Sequence, residues 1–383
     1  MAPSWWAYGD TVVGANHAQR GLPGQDAILV RTVHSYPDGR AASCHLIAVA
    51  DGHGAPKHFP SGRGAHFAVL AAEGMSQMLL EGPKSNAESI AERTYISRLL
   101  RSELPRQLMA YWRAAVRSDI GQDPFTEAEL QLLGIGTPLP HHDEPMPGRT
   151  PTTELLPLAA YGTTLAFALV TDDVLICCSI GDCDIVVVDA NGVAQRVFPE
   201  DNDAGDETDS MCSNDPESRI RTTLIAIREE APAAVILTTD GFAKSYRNDE
   251  DFMSTAGAYA HALAERGLAG TADNLHRWLA RTTRDGSGDD VSFGILCNKS
   301  RRTSGSAPAQ ENDTVVLASV PPEDAGLVTN SELDDSPAAP DHSTAATRVQ
   351  SSSPDSSPMA TDASPLDTEQ ERNEDVEQLL ESD

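Results

Sequence analysis

The chain has 383 residues and carries 58 Asp or Glu against 28 Lys or Arg, a formal net charge of −30. That surplus repels nucleic-acid phosphates and anionic lipid, which excludes non-specific binding to either and favours basic partners. Six cysteines without a CxxC spacing, no basic-then-apolar leader and no apolar run near about 18 residues lead us to expect a soluble cytoplasmic protein, outside any membrane, with buried reduced thiols.

Val, Ile and Leu concentrate before residue 300, which predicts one large core over residues 1–299. From residue 301 onward there are 18 Asp or Glu against 4 Arg, with abundant Pro, Ser and Thr and almost no aromatics. Burial could not offset the entropy of ordering such a segment, so residues 300–383 are expected to form a disordered acidic tail.

In chain order, Ala27 to Val33 and Cys44 to Ala50 read as strands around a turn at Tyr36-Pro37-Asp38-Gly39, the second stopping abruptly at Asp51-Gly52-His53-Gly54. Gly64 to Leu80 places Phe67, Leu70, Ala71, Met75, Met78 and Leu79 at helical intervals, and Ala87 to Trp112 continues in that style. Ser118 to Ala160 is rich in Pro, Gly, His and acidic residues, with a weakly amphipathic stretch at Thr126 to Leu133; it is expected to be an insertion or lid. Strands at Thr163 to Val170, Val174 to Ile180 and Asp184 to Asp189 follow as an antiparallel meander, and Asn191-Gly192 offers a tight hairpin turn. Glu200 to Glu217 is an acidic flap loop. Strands at Thr222 to Ile227 and Ala234 to Thr239 come next, the latter stopping at Asp240-Gly241. Helical patterns at Phe252 to Glu265 and Thr271 to Thr282 lead into Gly286-Ser287-Gly288-Asp289-Asp290 and a last strand, Val291 to Cys297.

Carboxylates beside glycines recur at these strand ends: Gln25-Asp26, Asp51-Gly52, Gly181-Asp182, Asp240-Gly241 and Gly288-Asp289-Asp290. Each pair alone is ordinary turn chemistry. Together they suggest more, because a strand ending in Asp-Gly projects a carboxylate from a rigid support while an unobstructed carbonyl approaches a hard cation. Several such ends at one rim would hold two divalent ions able to activate a water for attack on a phosphate ester.

The landmarks Gly24-Gln25-Asp26-Ala27, Val49-Ala50-Asp51-Gly52-His53-Gly54, Tyr161-Gly162-Thr163-Thr164-Leu165, Ile180-Gly181-Asp182, Leu237-Thr238-Thr239-Asp240-Gly241 and Gly288-Asp289-Asp290-Val291-Ser292 stand in the order of one family. Over about residues 8 to 297 the chain resembles the PPM, or type 2C, metal-dependent protein Ser/Thr phosphatases. The resemblance implies an α+β fold, a four-layer α-β-β-α sandwich of two central antiparallel sheets flanked by helices. It implies two Mn²⁺ or Mg²⁺ ions, with Asp51 bridging them, the Gly52 carbonyl serving one, Asp240 and Asp289 completing the other, and Asp182 holding a weaker third. Asp26 would hold a metal-bound water from behind, and His53 would protonate the leaving alkoxide.

Two positions depart from the family's pattern. Many members carry Glu where this chain has Gln25, an expected metal contact, and the usual phosphate-binding Arg falls on Gly21. The spacing of His17, Gly21 and Gln25-Asp26 is similar to a bacterial subgroup, which leaves Arg20 or His17 to meet the phosphate. The implied partners are a phosphorylated protein substrate and a cognate Ser/Thr kinase, with the enzyme a monomer. The alternative keeps the fold without the activity: a pseudophosphatase that binds phosphoproteins or a kinase.

Overall fold

The computed structural model describes residues 5–35, 42–81, 97–135, 156–199, 208–227, 231–299 and 317–318. The acidic tail expected over 300–383 lies outside the described residues apart from Leu317–Ala318, and so do much of the insertion and the first part of the flap loop.

Two antiparallel sheets form the centre. One holds β1 (Trp5–Val12), β10 (Val291–Asn298), β9 (Ala234–Thr238), β6 (Asp184–Val188) and β7 (Ala194–Arg196), in that order. The other runs through β2 (Ala27–Ser35), β3 (Ala42–Ala50), β4 (Leu165–Val170), β5 (Val174–Ile180) and β8 (Arg221–Ala226); β11 (Leu317–Ala318) pairs with Leu29 and Ile28 at the β2 edge. Every residue of β4, β9 and β10 is buried, as expected of strands covered on both faces.

The pleat sorts side chains between layers. From β3, Ile47 and Val49 enter the space between the sheets with Ile28, Ala166, Val235 and Leu237, whereas Leu46, Ala48 and Ala50 turn outward. Gly9 and Gly294 are paired in register, and a Cβ on either would stand 2.5 Å from Ile28 Cδ1 or 2.4 Å from Ile47 Cγ2, so glycine lets the sheets approach there.

Helices cover both outer faces. On one side, α2 (Ser61–Glu81) buries Ala65, Ala68, Val69, Ala72 and Met75 along one stripe, and α3 (Leu104–Gln122) buries Leu104, Leu108, Met109, Trp112 and Val116. Trp112 is fully buried and its indole N–H donates to the Gly64 carbonyl at 3.1 Å, tying α3 to the first turn of α2. A Cβ on Gly64 would meet the Tyr161 carbonyl at 2.1 Å, so this junction has no room for a side chain. On the other side Phe242, Phe252, Leu263 and Leu279 pack on Phe293 and Ile295. The result is the four-layer α-β-β-α sandwich.

Two features differ from the expected elements, and two others fall where they were expected. No strand was expected at Trp5–Val12, where Gly9 and Asp10 break the apolar alternation; pairing with β10 along its whole length makes it one. The second helix runs to Gln122, past Trp112, because Val116 continues the same buried stripe, so the insertion starts later than Ser118. The amphipathic stretch expected at Thr126 to Leu133 is α4 (Glu127–Leu132), closed by a capping box between Thr126 and Glu129. The two helices expected near the C-terminal side are both present in α7 (Asp249–Asp285), on either side of a kink at Gly267, whose φ of 72° only glycine adopts readily.

None of the six cysteines forms a disulfide, five of them are buried, and burial pushes the Cys44 thiol up to about 11. Trp112→Ala should lower unfolding free energy by about 3–5 kcal/mol, through lost burial and the cavity left behind. Urea titration would show the midpoint falling with the slope unchanged.

Candidate metal centre

Turns that follow β3, β5 and β9 and precede β10 meet at one cleft of about 220 Å³. Asp51, just past β3, has its backbone pinned: its N–H donates to Thr164 Oγ1 at 3.0 Å, and its carbonyl accepts from Thr163 Oγ1 at 2.8 Å and the Thr164 N–H at 2.9 Å. The Gly52 N–H donates to the Gln25 carbonyl at 3.2 Å, and a Cβ on Gly52 would lie 2.7 Å from that oxygen. Asp240 opens α6 (Asp240–Ala243) one residue after β9, beyond Thr239, and a Cβ on Gly241 would meet the Asp290 carbonyl at 2.1 Å and Asp289 Cβ at 3.2 Å. That close approach carries Asp289 to the same rim.

Asp51, Gly52, Asp240, Asp289, Asp182 and Gln25 all line the cleft, as do His17 and His53. Asp26 is not among the lining residues; its Oδ2 accepts from Thr239 Oγ1 at 2.7 Å, and Thr239 Oγ1 in turn accepts from the Ser292 N–H at 2.9 Å. Arg20 is exposed at the end of α1 (Ala15–Arg20), outside the lining set. Gln25 lines the cleft, but its amide N–H₂ donates to Ser61 Oγ at 3.0 Å and to the His53 carbonyl at 3.5 Å.

Asp290 was not singled out from its Asp-Asp pair, yet it organises this end of the molecule. It is 4% exposed; its Oδ1 accepts from the Gly14 N–H at 2.6 Å and lies 3.0 Å from His17 Nδ1, while Oδ2 accepts from the Gln25 N–H at 2.6 Å. Two adjacent acids at the start of a strand point to opposite sides, and that was the signal for two roles. His17 reaches the cleft with one ring nitrogen already engaged.

Burial pushes the Asp26 and Asp51 carboxyls well above the ordinary range; Asp290 and Asp240 add to the effect at Asp26, and Asp26, Asp240, Asp182 and Asp289 at Asp51. Asp240 and Asp289 are raised as well, by burial first and then by neighbouring acids. Asp26 Oδ1 and Asp240 Oδ1 are buried without a hydrogen-bond partner. Hard oxygen donors crowded until they repel, with buried oxygens unspent, suit a divalent cation such as Mn²⁺ or Mg²⁺. Among the described residues no three His, Cys, Asp or Glu side chains already close on one point as a finished chelate. Lys244 donates to Asp240 Oδ2 instead.

His53 donates its backbone N–H to the Gly162 carbonyl at 3.0 Å and packs edge-on against His58, with ring centroids 5.0 Å apart. Burial, then His58 and Lys57, lowers its pKa to about 4. His58 is fixed in turn by a 2.5 Å hydrogen bond from Nδ1 to the Ala159 carbonyl.

A family model described as protein phosphatase 2C matches residues 13–280. The chain belongs to the protein phosphatase 2C family. It is a protein-serine/threonine phosphatase by that membership. The chain is also similar to solved bacterial phosphatases: the S. agalactiae serine/threonine phosphatase is 14% identical, with 77% of this chain and 100% of that one covered and a TM-score of 0.43. Stp1 from Staphylococcus aureus is 13% identical, with 78% and 95% covered and a TM-score of 0.41. The catalytic domain of PstP, solved with 2 manganese ions, is 18% identical, with 77% and 97% covered and a TM-score of 0.41. No curated protein matches the chain. The family match stops at residue 280, so Asp289 enters this phosphatase's cleft on geometry: β10 pairs with β9 from Phe293 opposite Thr238.

The raised carboxyls carry a stability consequence. Asp51 binds its proton more tightly in the fold than in the unfolded chain, so in the metal-free phosphatase its contribution is best at acid pH. That contribution falls as pH rises from the ordinary carboxylate range toward the raised value. Asp51→Asn removes the effect. In chelator at pH 7 the variant should melt roughly 2–4 °C above wild type, the shift about 1 kcal/mol produces in a domain of roughly this size. Scanning calorimetry should show the gap narrowing toward pH 4 and closing when Mn²⁺ stabilises wild type.

Proposed function

We propose that this phosphatase hydrolyses phosphoserine and phosphothreonine in proteins at a binuclear Mn²⁺ or Mg²⁺ centre. The observation that carries the reading is the crowding of Asp51, Asp240, Asp289 and Asp182 in one cleft, with Asp240 Oδ1 buried and unpartnered. Asp51, the Gly52 carbonyl, Asp240 and Asp289 would hold two ions, and Asp182 a third. Bound there, the cations would supply an activated water at neutral pH and positive charge for the phosphoryl oxygens.

The chain's own groups do the rest. Asp26, anchored by Thr239 and with Oδ1 free, stands behind the cleft as an acceptor that orients the attacking water. His53 is neutral before substrate arrives, because burial holds its pKa near 4. A phosphate dianion beside the ring opposes that shift, draws a proton onto the imidazole and makes it the acid for the leaving seryl or threonyl oxygen.

A phosphorylated protein is the substrate class, which makes a Ser/Thr kinase the source of the substrate. A binding module without turnover is the second reading. It is favoured by the commitment of the Gln25 amide to Ser61 and His53, which leaves the cleft without the extra acid many relatives carry there.

Hydrolysis of a phosphothreonine peptide should require Mn²⁺ or Mg²⁺, stop in chelator and fall by about two orders of magnitude or more in Asp240→Asn. Phosphopeptide binding without turnover under either metal would favour the second reading. His53→Ala should slow the peptide about a hundredfold while sparing an aryl phosphate, whose leaving group needs no acid. Equal losses on both substrates would remove His53 from that role.

A further inference from the structure

Lys244 follows Asp240 by one helical turn, just beyond α6, and its backbone N–H donates to the Asp240 carbonyl at 2.8 Å. Its ammonium donates to Asp240 Oδ2, and it is the one Lys or Arg among the described residues lining the cleft. The Lys244 side chain is 60% exposed and that of Asp240 12%, so the lysine covers the carboxylate from the solvent side. Its four-carbon stem can swing without opening the core.

Phosphate needs a cation in this cleft. Asp51, Asp182 and Asp289 repel an incoming dianion, and the two positions expected to offset them are poorly placed. Arg20 lies outside the lining residues, and His17 has Nδ1 at 3.0 Å from Asp290. Lys244 is already at the mouth. A divalent ion also competes directly with its ammonium, because twice the charge at carboxylate contact distance outbids one.

We propose that Lys244 is the phosphate-binding cation of this cleft, paired with Asp240 in the metal-free protein and turned to the phosphoryl oxygens once a divalent ion takes that carboxylate. The inference rests on the metal-dependent reading above and adds its phosphate contact. One ammonium then serves two states: it caps a buried carboxylate that would otherwise be bare, and it gives charge-assisted hydrogen bonds to a phosphoserine or phosphothreonine dianion when that carboxylate is occupied.

The test is calorimetric and independent of turnover. The full-length protein, Lys244→Met and Lys244→Arg are titrated with Mn²⁺ alone, and then, saturated with Mg²⁺, with inorganic phosphate. Lys244→Met should bind Mn²⁺ about threefold more tightly or better and inorganic phosphate about tenfold more weakly, while Lys244→Arg keeps phosphate affinity within about threefold. Tighter Mn²⁺ with unchanged phosphate affinity in Lys244→Met would reduce the lysine to a counter-charge and overturn the proposal. Unchanged Mn²⁺ affinity would overturn the exchange between the two states. A wild-type protein that binds neither Mn²⁺ nor Mg²⁺ would overturn the metal centre itself, and this inference with it.

Discussion

Several carboxylates crowded into one cleft repel one another, and the architecture around this cleft holds that repulsion in place. Free carboxylates on loops would relax apart into water. Here they cannot, because Asp51 directly follows a strand packed on both faces, and Asp240 and Asp289 each stand one residue away from another such strand. Asp290 shows the contrast. With Gly14 and Gln25 N–H groups and the His17 ring around it, both its oxygens have partners and its work is to fasten the N-terminal segment to the 288–290 turn. Asp26 and Asp240 each keep a buried oxygen without a partner, and that unspent capacity separates a site from a latch.

The two-sheet arrangement makes such a site possible. Asp51 continues from β3 in one sheet, whereas Asp240 and Asp289 flank β9 and β10 in the other, so neither sheet alone could assemble the set. Glycines permit the convergence. Gly9 and Gly294 let the sheets close on each other, Gly241 lets the Asp290 backbone pass, and Gly52 lets β3 end against Gln25. The same rigidity isolates His53, wedged against His58 and pinned to Gly162, in an environment that keeps its imidazole neutral.

Much of this was legible in the chain. Strands β2 to β6 and β8 to β10 lie close to where apolar runs and turn residues placed them, because an apolar run long enough to be covered on both faces leaves little choice. The misjudged elements obey longer-range physics. The polar, glycine-interrupted Trp5–Val12 becomes a strand only by pairing with β10. The extension of α3 to Gln122 follows one more buried residue, Val116, one helical turn beyond Trp112.

The sequence by itself determined the family, the succession of strand ends bearing Asp-Gly and the set of acids that meet at the cleft, since those depend on local turn chemistry and ordered motifs. Which acid is satisfied and which is left bare, and that His17 is tethered to Asp290 while Arg20 lies outside the cleft, were decided only by the tertiary structure. Each depends on distances between segments up to 276 residues apart, as between Gly14 and Asp290, and no local pattern encodes such a distance.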